Sequence, residues 1–260
     1  MNVVVLAGGE LKSEDPLFGL VPPGAPPSKA YLSLAGKPML QWVLDALGDS
    51  NMISGVIVVG QPENADFKSA KPISYIEDQG GLIENALAGI RYSAEQKPGE
   101  KYTLLASGDI PLLTPEMVDW VVENGLQSRA DLVYHVITDK VMEERFPGAN
   151  RTFISLKGIR VCGGDLNLIS HRLVEQNNYI WEELAARRKS PIRQAALLGP
   201  GILLGLMLRI LSLEQGVELV SKRLGLVGKA VESPYAELGM DIDKPGQYEL
   251  VKNEMSAGRR

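Results

Sequence analysis

Cysteine is almost absent from this chain. Its single Cys162 leaves no disulfide framework to build, which suits a reducing cytoplasm. Cys162 belongs to no Cys/His cluster and reads as a small core residue. Histidine is nearly as scarce. His135 and His171 read as a strand and a helix position, structural or surface groups, and form no metal site and no Ser-His-Asp grouping. An excess of basic charge is also missing: 27 Lys and Arg face 32 Asp and Glu, a net charge of −5. That argues against a general binder of nucleic acid or acidic membranes, although a local basic pocket stays compatible. No long apolar run exists. The most apolar stretch, 195–208 (AALLGPGILLGLML), has 14 residues, contains Gly199-Pro200-Gly201 and ends at Arg209. A spanning helix needs about 20 apolar residues, so this one reads as a buried helix or as a subunit contact in a homo-oligomer. The N-terminal MNVVVLAGGE has no basic region and too short an apolar run for a signal peptide.

What is present alternates. Residues 2–6, 55–60, 73–76, 102–106 and 131–137 read as short buried strands. Residues 38–47 and 81–94 have helical periodicity, and Thr114-Pro115-Glu116 starts another helix with Thr as N-cap and Pro in the first turn. Residues 10–28, rich in Pro and Gly, predict a mobile loop. This order predicts an α/β fold of three α/β/α layers around a mostly parallel, Rossmann-like sheet. Further on, 152–164 predicts two short strands ending in Gly163-Gly164. Residues 165–224 predict a mostly helical insertion, 229–233 and 239–242 two more strands, and 245–255 a closing helix. No linker separates the halves, so residues 1–260 are expected to form one domain.

Ligands of open α/β sheets bind beyond the carboxyl ends of the strands. Three such ends carry chemistry here: Ala7-Gly8-Gly9, Ser107-Gly108-Asp109 and Asp241-Ile242-Asp243. The glycines let backbone N–H groups approach a phosphate, though neither the dinucleotide fingerprint nor the P-loop is spelled out. Asp109 alone reads as a turn acid and Asp243 alone as a helix cap. As a pair at strand ends they suit Mg²⁺, which takes a few hard oxygens and shares its shell with phosphates. Lys29 is a point charge able to reach a polyphosphate, whereas Lys37 reads as structural.

LAGG at 6–9, SKAYLSLAGKPML at 28–40, GDIPLLT at 108–114 and DIDKPGQYELV at 241–251 span nearly the whole chain. In this order they resemble the nucleotidyltransferases of the GT-A-type fold, the MobA-like NTP transferases. That family includes molybdenum-cofactor guanylyltransferases and sugar-phosphate and alcohol-phosphate nucleotidyltransferases.

The resemblance implies roles. Leu6, Ala7, Gly8 and Gly9, with Ser107 and Gly108, would line the nucleotide. Lys29 would contact its phosphates and Gln79, Gly80 and Gly81 its base. Asp109 and Asp243 would hold Mg²⁺, with Asp241 a weaker candidate. Gly163, Gly164 and Asn167 resemble an acceptor-side element. The implied reaction is Mg²⁺-dependent transfer of a nucleoside monophosphate from a triphosphate to a phosphorylated acceptor, with release of pyrophosphate. The partners would be the triphosphate and a sugar, alcohol or cofactor-precursor phosphate. The family's arginine between the glycine turn and the lysine is missing, and Lys12 is the nearest substitute. Two other readings stay open. Asp241-Ile242-Asp243 spells the D-x-D of nucleotide-sugar glycosyltransferases, though close to the C-terminus. The missing arginine fits a nucleotide-binding homologue without catalysis. Arg187, Arg188, Lys189 and Arg193 are candidates to face a phosphorylated acceptor, or a solvated helix face.

Overall fold

The computed structural model describes residues 1–176 and 200–258 of the chain. The first half runs β1 (Asn2–Leu6), the two-residue strands β2 (Ser33–Leu34) and β3 (Lys37–Pro38), α1 (Met39–Asp49), β4 (Gly55–Val59), β5 (Ile73–Ile76), α2 (Leu82–Gln96), β6 (Tyr102–Ser107) and α3 (Pro115–Ser128). Then come β7 (Leu132–Thr138), α4 (Asp139–Arg145), β8 (Ile154–Leu156), β9 (Ile159–Gly163), β10 (Leu166–Ser170) and α5 (Arg172–Gln176). The final part holds α6 (Pro200–Met207), α7 (Leu213–Leu224), β11 (Gly228–Glu232) and α8 (Pro245–Ser256).

Among the described residues nine strands form one sheet in the order β5-β4-β1-β6-β10-β7-β9-β8, with β11 on the other side of β7. The pairings of β1 with β4 and β6, of β4 with β5 and of β7 with β11 are parallel. Those of β8, β9 and β10 are antiparallel, so the sheet is mixed. Helices cover both faces. Val3, Val4 and Val5 of β1 are all fully buried, as an interior strand covered on both sides requires. Alternate residues of β1 divide between two cores, Val3 and Val5 toward α1 and α3, Val4 toward α2. The stripe Met39, Leu40, Val43, Leu44, Leu47 buries α1 against the first. Each such side chain contributes about 1.5–3 kcal/mol on full burial.

Thr114 caps α3 as expected, its hydroxyl accepting from the Met117 N–H, with Pro115 in the first turn. Three expectations are corrected, and one element is added. Residues 166–170 are not helical: Leu166, Leu168 and Ser170 point one way and are buried, and β10 fills the slot between β6 and β7. Residues 239–242 form no strand, because β6 already has β1 and β10 as neighbours. A 3-10 turn at Ala236–Gly239 leads instead across the strand ends, where the Ile242 N–H donates to the Asp109 carbonyl (3.1 Å). The loop 10–28 is pinned by buried Leu11 and Leu17. Residues 139–145, read without an element, form α4, capped by Thr138.

Of the apolar stretch 195–208, residues 200–207 are helix; the remainder before it, and Arg187, Arg188, Lys189 and Arg193, lie outside the described residues. Among the described residues no helix is long and apolar enough to cross a membrane.

His135 on β7 is fully buried, with Nδ1 2.9 Å from the Leu166 carbonyl. Burial pushes its pKa down to about 4 from 6.5. The neutral ring therefore adds stability that is complete above pH 6.5 and is lost as pH falls through about 4, on the order of 3 kcal/mol. NMR titration of the imidazole should show a midpoint near 4; a midpoint near 6.5 would mean the ring is solvated.

Candidate active site

The first wall of the site is the turn after β1. The Ala7 carbonyl accepts from the side-chain amide of buried Gln61 (2.5 Å), and the Ala7 N–H donates to Val59 (2.9 Å). Gly60, at φ +94°, lies so close that a Cβ there would sit 2.2 Å from the Gly8 Cα. Gly9 also takes φ +94° and faces open space. The turn is thus held from behind and bare in front, as a backbone phosphate cradle requires.

The second wall follows β5. Asp78 accepts from the Gly80 N–H (2.8 Å) and from the Asn85 amide (3.1 Å). These donors, Gly80 first, with the Gly9 N–H hold its carboxyl below the usual carboxylate range. Asp78 therefore links the two glycine turns. Between them lies a cleft of about 470 Å³, lined by Leu6, Gly8, Gly9, Gly80 and Gly81, with Lys29, Ser107 and Asp109 at its inner end. Three expected lining residues stand behind this surface. Ala7 is buried, Gly108 donates its N–H to the Leu6 carbonyl (2.9 Å), and the Gln79 side chain turns back onto the Glu77 carbonyl (2.8 Å). Lys12 is exposed and lines no part of the cleft. Lys29 is its one cation among the described residues, against Glu10, Asp15, Asp78 and Asp109.

At the inner end carboxylates from remote segments meet. Ser107 Oγ donates to Asp109 Oδ1 (2.6 Å). Lys29 rises from a 3-10 turn whose cap is Ser28, and its ammonium bridges Asp109 Oδ2 (3.2 Å) and Asp243 Oδ1. Asp243 does not cap α8. Lys244 is the N-cap, and the Asp243 N–H donates to Gln247 Oε1 (2.9 Å). Asp241 pairs with Arg151. Oxygen atoms of Asp109, Asp241 and Asp243 lie within 4.8 Å of one another. Burial opposes the Lys29 charge, but Asp109 and Asp243 hold its pKa above the ordinary value. Burial would raise Asp243 too, yet Lys29 holds it down. Asp241 is pushed up by burial and by Asp109 and Asp243, against the pull of Arg151.

A bulge supplies a fourth acid. β9 and β10 run end to end along β7, pairing Gly163 with Val136 and Leu168 with Val133. Residues 164–167 therefore face only 134 and 135. Asn167 closes the gap: its Oδ1 accepts from the His135 N–H (2.9 Å) and its amide donates to the Gly164 carbonyl (2.8 Å). Gly164 itself donates to the His135 carbonyl (2.8 Å). Asn167 and Gly164 are thus engaged in the sheet, while Gly163 lines a second pocket of about 260 Å³. Arg151, Asp165, Asp243 and Lys244 line it as well. Burial, then Asp241 and Asp109, pushes the Asp165 carboxyl up to about 8, and its Oδ2 is buried without a hydrogen-bond partner. Asp109, Asp241 and Asp243 bring an all-oxygen donor set together, with Lys29 and Arg151 set against them. That fits a hard divalent cation.

Sequence reading passed over Asp165 and Arg151. Asp165 had a signal, since it follows Gly163-Gly164 at a strand end; Arg151 had none, because it meets Asp241 only in the fold.

A family model for the MobA-like NTP transferase domain matches residues 3–188. The chain is similar to a probable molybdenum cofactor guanylyltransferase of Natranaerobius thermophilus, 26% identical over 139 residues, 53% of this chain and 61% of that protein. It is also similar to a 2-C-methyl-D-erythritol 4-phosphate cytidylyltransferase of a Synechococcus strain, 26% identical over 125 residues, 45% of this chain and 54% of that protein. The chain thus matches between about half and two thirds of the length of these two relatives. A solved structure of a hypothetical transferase from Thermus thermophilus superposes with a TM-score of 0.80 at 32% identity, covering 95% of this chain and 98% of that one.

Proposed function

Since the chain belongs to the family of MobA-like NTP transferase domains, we propose that it transfers a nucleoside monophosphate from a triphosphate to a phosphorylated acceptor, with Mg²⁺ as its cation. The observation that carries this reading is the convergence of Asp109, Asp241 and Asp243 within 4.8 Å, where the 470 Å³ cleft adjoins the 260 Å³ pocket. One compartment suits the triphosphate and the other the acceptor.

An acceptor oxygen attacks the α-phosphorus, the bond to the bridging oxygen breaks, and pyrophosphate leaves with the electron pair. Such a step needs in-line placement and charge neutralisation more than a protein nucleophile. The Gly8 and Gly9 turn brings backbone close to phosphate oxygens, and Lys29 adds a positive charge beside them. Asp109, Asp241 and Asp243 would hold the cation. When bound, Mg²⁺ supplies the charge neutralisation that lets a triphosphate enter a cleft lined by four acids. Arg151 and Lys244 would orient the acceptor phosphate.

The test is a thermal-shift screen of GTP, CTP, ATP and UTP with Mg²⁺, then pyrophosphate release with sugar, polyol and cofactor-precursor phosphates. GTP and CTP lead because the relatives are named for guanylyl and cytidylyl transfer. A donor at 100 times its Kd stabilises the fold by about 2.7 kcal/mol. Binding without turnover across the acceptors would point to a homologue without catalysis, and consumption of a nucleotide sugar to a glycosyltransferase.

A further inference from the structure

Helix α7 is amphipathic, with Leu213, Val217, Val220 and Leu224 at helical spacing, yet none of its residues is buried. Opposite this face, β7 and β9 present Leu132, Val136 and Val161. Leu213 packs onto Val136 and Val161, and beyond that contact a groove of about 310 Å³ runs between α7 and the sheet. Among the described residues its only polar side chains besides the Tyr134 hydroxyl are Ser221 and Lys229. That volume is the size of a small-molecule site.

The groove leads to the carboxylates. Val161 in the groove and Gly163 in the second pocket are two residues apart on β9, hence on one face of the sheet. Tyr134 lines both spaces. A Cβ on Gly163 would lie 2.1 Å from the Tyr134 hydroxyl oxygen, so the glycine is what lets the phenol reach across. The tyrosine has an apolar ring for one compartment and a polar tip for the other.

We propose that the acceptor is an amphiphilic phosphomonoester. Its phosphate sits with Arg151 and Lys244 beside the carboxylates, and its apolar chain runs past Tyr134 into the groove under α7. The inference rests on the nucleotidyl-transfer reading for its chemistry, but its binding prediction does not. Each methylene that leaves water adds about fourfold in affinity.

The test titrates the full chain, without nucleotide, with methyl, butyl and octyl phosphate below their aggregation limits, followed by calorimetry. Octyl phosphate should bind at least about 30-fold tighter than butyl phosphate. Two variants should remove the difference while leaving Mg²⁺-triphosphate binding unchanged. Ala230→Phe fills the groove, since Ala230 pairs with Tyr134 across β11 and β7. Ile154→Asp places a charge at the rim, on a side chain 56% exposed and so replaceable without unfolding. Equal affinities for butyl and octyl phosphate in the unaltered chain overturn the proposal, as does a difference that survives both variants. Graded binding without pyrophosphate release from any triphosphate would leave the groove assigned and defeat the transferase reading instead.

Discussion

Replacing Asp109 with alanine is expected to slow Mg²⁺-dependent pyrophosphate release by about 10²-fold or more while the chain stays folded. The carboxylate receives Ser107 Oγ at 2.6 Å and Lys29 at 3.2 Å, and it lies with Asp241 and Asp243 in the cluster best suited to a cation. The contact through which Asp109 helps to place Asp241 and Asp243 is a backbone one, from the Ile242 N–H to the Asp109 carbonyl. Alanine keeps that carbonyl, so the loss should fall on turnover rather than on the positions of the other acids. Steady-state kinetics with the true donor and acceptor, beside far-UV circular dichroism, checks this. A variant that turns over like the unaltered chain would remove Asp109 from the chemistry.

Lys29→Ala should move two measurements in opposite directions. Its ammonium lies between Asp109 and Asp243, where a divalent cation would compete with it. Without nucleotide, the variant should bind Mg²⁺ about 10-fold more tightly, because one charged hydrogen-bond partner of the acids is gone. With nucleotide, it should bind the triphosphate more weakly and lose roughly 10- to 100-fold in kcat/KM, because the cleft loses its one lysine. Calorimetric Mg²⁺ titration and transfer kinetics separate the two effects. Weaker Mg²⁺ binding would show that Lys29 organises the acids instead of competing for them. Unchanged kinetics would return it to an ordinary loop lysine.

The parts of this fold legible in the sequence are those whose signal is local. Val3-Val4-Val5 announces a buried strand, Thr114-Pro115 a helix start, and Gly108-Asp109 an acid at a strand end. Leu166-Asn167-Leu168-Ile169-Ser170 was readable as an alternating strand, but the helical pattern around it overrode that period. Met240 and Ile242, read as part of a short strand, are both buried as strand residues would be, but burial there comes from crossing the strand ends. The pairing of Arg151 with Asp241 joins segments 90 residues apart. No spacing rule reaches that far. Asp165 enters the site only because the bulge adds two residues opposite His135, a detail of register that composition does not encode.

The chain's single thiol has a practical consequence. Cys162 is 3% exposed, it lines the second pocket beside Arg151, and burial raises its pKa, so it stays protonated and shielded at neutral pH. A thiol reagent can reach it only when that pocket opens. The rate of its labelling is then a built-in clock for opening, free of background because no second cysteine competes. Any molecule resident in the pocket should slow that clock.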